Sequence, residues 1–228
     1  MLGSSNLLPS RAHARYIARA VDTELLQTNT PELFAEAILC AAETLRRGEL
    51  VAVPTETVYG LAARADDEAA VARIYEAKGR PSFNPLIVHV SSMEMARALA
   101  TFSATAERLA KAHWPGPLTL VLPRKQDARL AVAVTAGLDT VAIRIPRHPV
   151  MRGLLNKAEL PLAAPSANRS GYVSPTSASH VLATLDGRID AGVVRPLPDF
   201  SVRTGNTIGL SALQETGGKS IRPTQTTH

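Results

Sequence analysis

The sequence predicts an α/β domain, and three observations carry that prediction. Short apolar runs rich in β-branched residues (Leu50 to Val53, Leu86 to Val90, Thr140 to Ile145) alternate with longer stretches whose apolar residues recur at helical spacing. Such alternation is the pattern of helices packed against a sheet. The exits of two of the runs are crowded with polar residues, as ligand-binding loops at strand ends require. The 228 residues suffice for one sizeable domain, expected over 30–228 behind an N-terminal extension over 1–29.

Thr30 and Pro31 supply an N-cap and a first helical residue, after which Leu33, Ala37, Ile38, Ala41 and Leu45 recur at helical spacing until Gly48. Leu50 to Val53 is a strand that stops at Pro54, which has no N–H for a ladder. Asp66 or Asp67 can cap a second helix bearing Val71, Ile74 and Tyr75 and closing near Lys78-Gly79. Leu86 to Val90 is the next strand. Ser92 and Ser103 then cap two helices, the later one ending at His113-Trp114-Pro115-Gly116. Leu118 to Leu122, Thr140 to Ile145 and the shorter Leu160 to Ala164 read as strands, and Ser174-Pro175-Thr176 caps a last helix through Leu185. Over 191–228 prolines and glycines break any period, so an irregular C-terminal part is expected.

Lys and Arg outnumber Asp and Glu by 25 to 20, and the excess sits in the second half, where Arg144, Arg147, Arg152, Arg169 and Arg188 are spread singly. That asymmetry fits nucleotide or RNA phosphates, and equally a solvated face, since no aromatic residues interleave. No apolar run reaches the length of a membrane span, so no membrane partner is expected. The single Cys40 excludes a disulfide within the chain, fits burial on an apolar helical stripe, and points to a reducing, cytoplasmic setting. Residues 1–22, with Arg11, Arg15 and Arg19 among serines, fit an organelle-targeting segment less well than a simple extension.

Three polar clusters carry the chemistry. Thr55, Glu56, Thr57 and Tyr59 follow the first strand; their hydroxyls suit a small polar ligand, while a Ser/Thr turn with Tyr59 in the core accounts for the same residues. Glu56 could serve as a base or a cation ligand, but a lone carboxylate is more often a cap or half of an ion pair. Lys78 and Arg80 straddle Gly79 at a helix end, where two cations can clamp a polyphosphate or complement the helix dipole. Asn84 and His89 follow within one strand, and this convergence favours a site. Ser166, Asn168, Ser170, Gly171 and Ser174 form a hydroxyl-rich loop leading into a helix, where backbone amides favour an anion. No Walker loop, dinucleotide glycine motif, zinc-ligand spacing or nucleophile elbow is present, so no protein-held metal is expected.

Taken in order, PTETVYGL (54–61), AKGRP (77–81), NPLIVHV (84–90), WPGPLTL (114–120), DTVAIRIP (139–146) and AAPSANRSG (163–171) resemble the YrdC/Sua5 family of threonylcarbamoyl-AMP synthases over roughly residues 32–190. The resemblance implies an open, twisted mixed sheet with flanking helices around a deep basic cavity. It also implies a nucleotidyltransferase. L-threonine, bicarbonate or CO2 and ATP, with Mg2+, would give threonylcarbamoyl-adenylate and pyrophosphate, and a downstream transferase machinery would use the adenylate to modify tRNA adenosine to its N6-threonylcarbamoyl form. Carried over position by position, the resemblance places threonine on Thr57, His89, Arg144 and the Ala164 backbone. It places ATP on Lys78, Arg80, Asn84, Thr140, Ser166, Asn168, Ser174 and Arg222, with Lys78 and Arg80 as the catalytic pair that stabilises triphosphate charge.

One stretch departs from the family pattern. After residue 190 the family continues with an Asp-Gly-Gly turn and a Gly-x-Glu-Ser-Thr motif, whereas this chain reads Ala191-Gly192-Val193-Val194-Arg195-Pro196. Gly205-Asn206-Thr207-Ile208 is the nearest remnant, and Ser220-Ile221-Arg222-Pro223 resembles the family's late Leu-Arg-Pro-Gly. The short family form, without the C-terminal domain of the long one, is expected. Together with the basic second half, the departure supports an alternative: a catalytically impaired relative that binds RNA weakly or regulates.

Overall fold

A computed structural model describes residues 23–194. In chain order its elements are β1 (Glu24–Gln27), α1 (Pro31–Arg46), β2 (Val51–Pro54), β3 (Tyr59–Arg64), α2 (Glu68–Lys78), β4 (Ile87–His89), α3 (Met93–Leu99) and α4 (Ala104–His113). There follow β5 (Leu120–Pro123), α5 (Val132–Thr135), β6 (Thr140–Arg144), α6 (Pro149–Ala158), β7 (Leu162–Ala163), α7 (Ala178–Leu185) and β8 (Ala191–Val194). The strands form one mixed sheet of eight in the order β1-β8-β2-β3-β7-β4-β6-β5.

The helix starts follow the caps read from the sequence. Thr30 accepts from the Leu33 amide, Asp67 from Ala69 and Ala70, Ser92 from Met95 and Ser103 from Ala106. Helix α2 stops at Gly79, whose left-handed backbone (φ 57, ψ 39) closes the last turn. The last helix starts later than expected. Ser177 caps α7, and Pro175 instead gives its carbonyl to the Tyr59 amide at 2.8 Å.

Five elements were not expected. Strand β3 turns back antiparallel on β2 through the Thr55–Val58 loop, and α5 and α6 follow later in the chain. Strand β1 lies within the segment read as an extension, and β8 within the segment read as irregular. Both are ordered because they pair in parallel, Glu24 opposite Ala191 and Gln27 opposite Val194, with β8 also paired to β2. Cys40 is half-buried rather than in the core, 3.9 Å from Glu24, and desolvation followed by that carboxylate pushes its thiol pKa up.

The pleat divides the core in two. Leu50, Ala52, Leu61, Ala63, Val88, Leu120, Leu122, Val141 and Ile143 face the larger cluster, with residues of α2, α3, α4, α5 and α7. Their neighbours Val51, Val53, Ala62, Leu162, Ala191 and Val193 point the other way, onto α1 and α6. Among the described residues, none of β4, β5 or β6 joins this second cluster. Helices α1 and α6 therefore cover only half of their face, and the β4-β6-β5 half is left for a cavity.

Asp190 fastens the start of β8: its carboxylate accepts from the Leu50 amide at 2.8 Å and pairs with Arg73 at 2.7 Å. Asp190→Ala strands that amide and loosens the β1-β8-β2 edge. A loss of about 2 kcal/mol is expected, read as a lowered urea midpoint.

Candidate active site

The cavity has a volume of about 390 Å³ and is lined by Thr55, Thr57, Arg80, His89, Arg144 and Ser166 among others. Register explains the convergence. His89 of β4 stands opposite Arg144 of β6, and both alternate with residues committed to the larger core, so they project to the uncovered face. Thr119, just before β5, lies on that face too and accepts from Arg144 Nε at 2.9 Å.

The β2–β3 loop closes one side. Thr55 Oγ1 accepts from the Thr57 and Val58 amides and donates to the Val58 carbonyl, so the Ser/Thr turn is present and is itself the wall of the site. Thr57 Oγ1 accepts from Arg144 at 3.3 Å. Glu56 is held from two sides. One of its oxygens accepts from the amides of Arg147 and His148, tying the loop to the start of α6, and the other lies 3.9 Å from Arg144. Burial lowers the Arg144 pKa, and Glu56 opposes that shift.

The segment after β7 forms another wall. It threads between β3 and β4: Ala164 donates to Ile87, Leu61 to Pro165 and Ala167 to Tyr59. Gly60 bridges Ser166, and a Cβ at Gly60 would sit 3.4 Å from that of Ala164. Lys78 secures this loop from behind. Its Nζ donates to the Ser166 carbonyl at 2.5 Å and to the Asn168 carbonyl, while its own carbonyl accepts from the Ser170 amide. Burial, then the nearby Arg80 charge, lowers its pKa to about 8.

Of the residues expected here, Thr57, Arg80, His89, Arg144, Ala164 and Ser166 line one cavity. Lys78 and Asn168 are buried behind its wall. Asn84, Thr140 and Ser174 do not line it. The Asn84 carbonyl accepts from Tyr75, Thr140 pairs with Pro123 at the far end of β6, and Ser174 is exposed before Pro175. Arg222 and the remnants after residue 194 lie outside the described residues. Thr119 was missed, although a lone hydroxyl inside the run Leu118–Leu122 was its signal.

Among the described residues, several buried polar atoms around the cavity find no hydrogen-bond partner of good geometry: both ring nitrogens of His89, Glu56 Oε1, Arg80 Nε and Asn168 Oδ1. Such clustering is what a site shaped for a polar ligand shows. Burial first, and the Arg144 charge second, lower the His89 pKa to about 3, against a weaker pull from the Ile87 backbone. The neutral ring can donate from one nitrogen and accept at the other. Because the folded pKa lies below the ordinary 6.5, the unfolded chain binds the extra proton between those values. Stability from this group is therefore complete above pH 6.5 and is lost as pH falls toward 3. His89→Gln is expected to flatten the fall of the urea midpoint between pH 6.5 and 4; an unchanged slope would contradict a buried neutral ring.

The fold and cavity define an α/β protein that brings a buried guanidinium, suited to a carboxylate, into one cavity with an arginine and a Ser-Ala-Asn loop suited to phosphates. It belongs to the Sua5/YciO/YrdC family, whose model, described as "Telomere recombination", matches residues 43–209. Threonylcarbamoyl-AMP synthase of Bacillus subtilis is 54% identical over 173 residues, 75% of this chain and 48% of that protein. The Halorhodospira halophila protein of that name is 38% identical over 72% of this chain and 90% of its own length. Pyrococcus abyssi Sua5 complexed with L-threonine superposes with a TM-score of 0.76 at 45% identity, over 84% of this chain and 55% of that one. The nucleotide- and phosphate-bound HypF structure gives 0.63 at 25% identity, over 69% of this chain and 24% of that one. The chain spans about half the length of the Bacillus, Pyrococcus abyssi and Schizosaccharomyces pombe relatives, at 48%, 45% and 55%.

Proposed function

We infer that this chain forms L-threonylcarbamoyl-adenylate from L-threonine, bicarbonate or CO2, and ATP. The observation that carries this reading is that Arg144, His89, Arg80 and Ser166 line one cavity. The names of the relatives support the activity, the threonine complex supports the amino acid, and the HypF complex supports a nucleotide on the same fold.

In this reading the threonine carboxylate pairs with Arg144, whose fork is already aimed by Thr119 and Thr57. The free amine attacks the carbon of CO2, a C–N bond forms, and one amine proton passes to solvent. A carbamate oxygen then attacks the α-phosphorus, the bond from that phosphorus to the bridging oxygen breaks, and pyrophosphate leaves. Arg80 faces the triphosphate and stabilises its developing charge, while Lys78 holds the Ser166–Asn168 loop in register. Among the described residues no group of three His, Cys, Asp or Glu side chains converges to hold a metal. A Mg2+ ion would therefore enter on the phosphate oxygens with its own waters and neutralise part of their charge. The adenylate then passes to a transferase acting on tRNA. A cytoplasmic setting belongs to the same reading; among the described residues no helix is long and apolar enough to cross a membrane.

The test is pyrophosphate release by pure protein given ATP, threonine and bicarbonate. Release that requires all three, and that a Lys78→Ala/Arg80→Ala variant lacks, is the expected result. No release above that variant removes the reading.

A further inference from the structure

We propose that Glu56 is a positioning residue for the amino-acid half of the site: its carboxylate locks the Arg144 guanidinium and the Thr57 loop into one arrangement before threonine arrives. The proposal rests on the reading of Arg144 as the partner of the threonine carboxylate and adds what holds that partner in place. Glu56 does not line the cavity, so it acts through Arg144 and Thr57, which do.

Strand pairing sets the Arg144 backbone, whose carbonyl accepts from the Val90 amide at 3.0 Å, but leaves the rotamers of a long side chain open. Thr119 takes Nε at 2.9 Å, and Thr57 takes one terminal nitrogen at 3.3 Å. Glu56 Oε1 stands 3.9 Å from that same terminal nitrogen, both side chains being buried. At this separation the carboxylate attracts the guanidinium without a hydrogen bond, so it spends none of the donors that a ligand would need.

The other oxygen of Glu56 is anchored. It accepts from the amides of Arg147 and His148 at 3.0 and 3.2 Å, just past the end of β6. Helix α6 has its own cap in the His148 ring, which accepts from the Val150 amide, so the grip of Glu56 falls on the chain leaving Arg144. Gly116 holds the same exit, its amide donating to the Ile145 carbonyl at 2.9 Å. A tie between the loop and this exit needs no charge, since a glutamine carbonyl can accept from the same amides. A buried carboxylate is costly, and the cation beside it is Arg144. The charge therefore serves the guanidinium, and the tie fixes where that charge stands.

The experiment measures pyrophosphate release by the full chain as threonine and, separately, ATP are varied. Glu56→Gln is expected to raise the KM for threonine about 10-fold, the scale of one weakened hydrogen bond to a charged group, and to leave the KM for ATP unchanged. With its carbonyl on the two amides, the glutamine turns its NH2 toward Arg144, donor against donor. In an Arg144→Lys background the same change should add little, because the fork it positions is gone. Asp190→Ala, which loosens the fold at the β8 edge, should leave the threonine KM native. A lower threonine KM in Glu56→Gln overturns the proposal, because Glu56 would then compete with the substrate for Arg144. Equal rises for threonine and ATP, or full additivity with Arg144→Lys, overturn it as well and leave Glu56 a structural tie. Should Glu56→Gln not fold, Glu56→Asp is too short to span both partners and should give the same threonine-specific rise; a native threonine KM there counts equally against the proposal. If Arg144→Lys raises the threonine KM and Glu56→Gln does not, this inference alone falls. If neither does, the reading of Arg144 falls with it.

Discussion

Arg144→Lys is expected to raise the KM for threonine about 10- to 100-fold while the KM for ATP stays close to its native value. Arg144 reaches Thr119 through Nε and Thr57 through a terminal nitrogen, with the Glu56 carboxylate behind it. This leaves a planar fork aimed into the cavity, and lysine supplies charge without the fork. The range is the worth of about one hydrogen bond to a charged group. Arg144→Ala goes further, because Glu56 Oε1 is then buried without a compensating cation. The side chains are only 7% and 6% exposed, so a further loss of about 3 kcal/mol in stability is expected by urea titration. Arg144→Met/Glu56→Gln should regain much of that stability and none of the threonine use. An Arg144→Lys variant with native threonine KM would remove Arg144 as the carboxylate partner.

Lys78→Met is expected to cut pyrophosphate release by about 100-fold with a smaller change in global stability. The ammonium joins two backbone carbonyls, and without it the Ser166–Asn168 loop loses its fixed distance from Arg80. A pH dependence follows, because burial and Arg80 bring the Lys78 pKa from 10.5 down to about 8. Above pH 8 the folded protein releases this proton before the unfolded chain does. The contribution of this group to stability therefore rises with pH between 8 and 10.5. Activity goes the other way, since a neutral amine donates more weakly to the two carbonyls than an ammonium. Pyrophosphate release should fall as pH passes 8, and Lys78→Arg, which does not titrate there, should lack that fall. An identical alkaline limb in both proteins would assign the limb to another group.

Much of this architecture can be read along the chain, and what escapes has physical reasons. Helices α1 to α4 announce themselves by a cap and a period, and β2, β4, β5 and β6 by β-branched or apolar runs. Strand β3, with sequence YGLAAR, hides because glycine and alanine are poor strand formers. It is a strand because both its faces are buried and small side chains let Ala164 approach. Strands β1 and β8 are four residues each and are ordered by long-range pairing, β1 with β8 and β8 with β2, which no local pattern announces. Helix α6 did carry a signal, Pro149 at its start and Val150, Met151, Leu154 and Leu155 at helical spacing, obscured by the turn-like Pro146 to Pro149.

The site divides in the same way. Residue types at motif positions pointed to Thr57, His89, Arg144 and Ser166, which do meet. The sequence did not disclose that Lys78 is turned toward two carbonyls, that Glu56 caps the entry to α6, or that Thr140 lies at the other end of β6 from Arg144. Those facts depend on strand register and on which face each side chain takes.

The pairing of β1 with β8 also bears on how the protein is made. Among the described residues strand β1 pairs with β8 alone, and β8 sits between β1 and β2, so the first described strand waits for the last. Translation adds roughly 5–20 residues per second, which leaves β1 without its neighbour for on the order of ten seconds while residues 28–190 are synthesised. Throughout that interval β1, and the edge of β2 that does not pair with β3, are open to other nascent chains. Chaperone dependence of soluble yield should therefore track the time to reach residue 194 more closely than the stability of the finished fold.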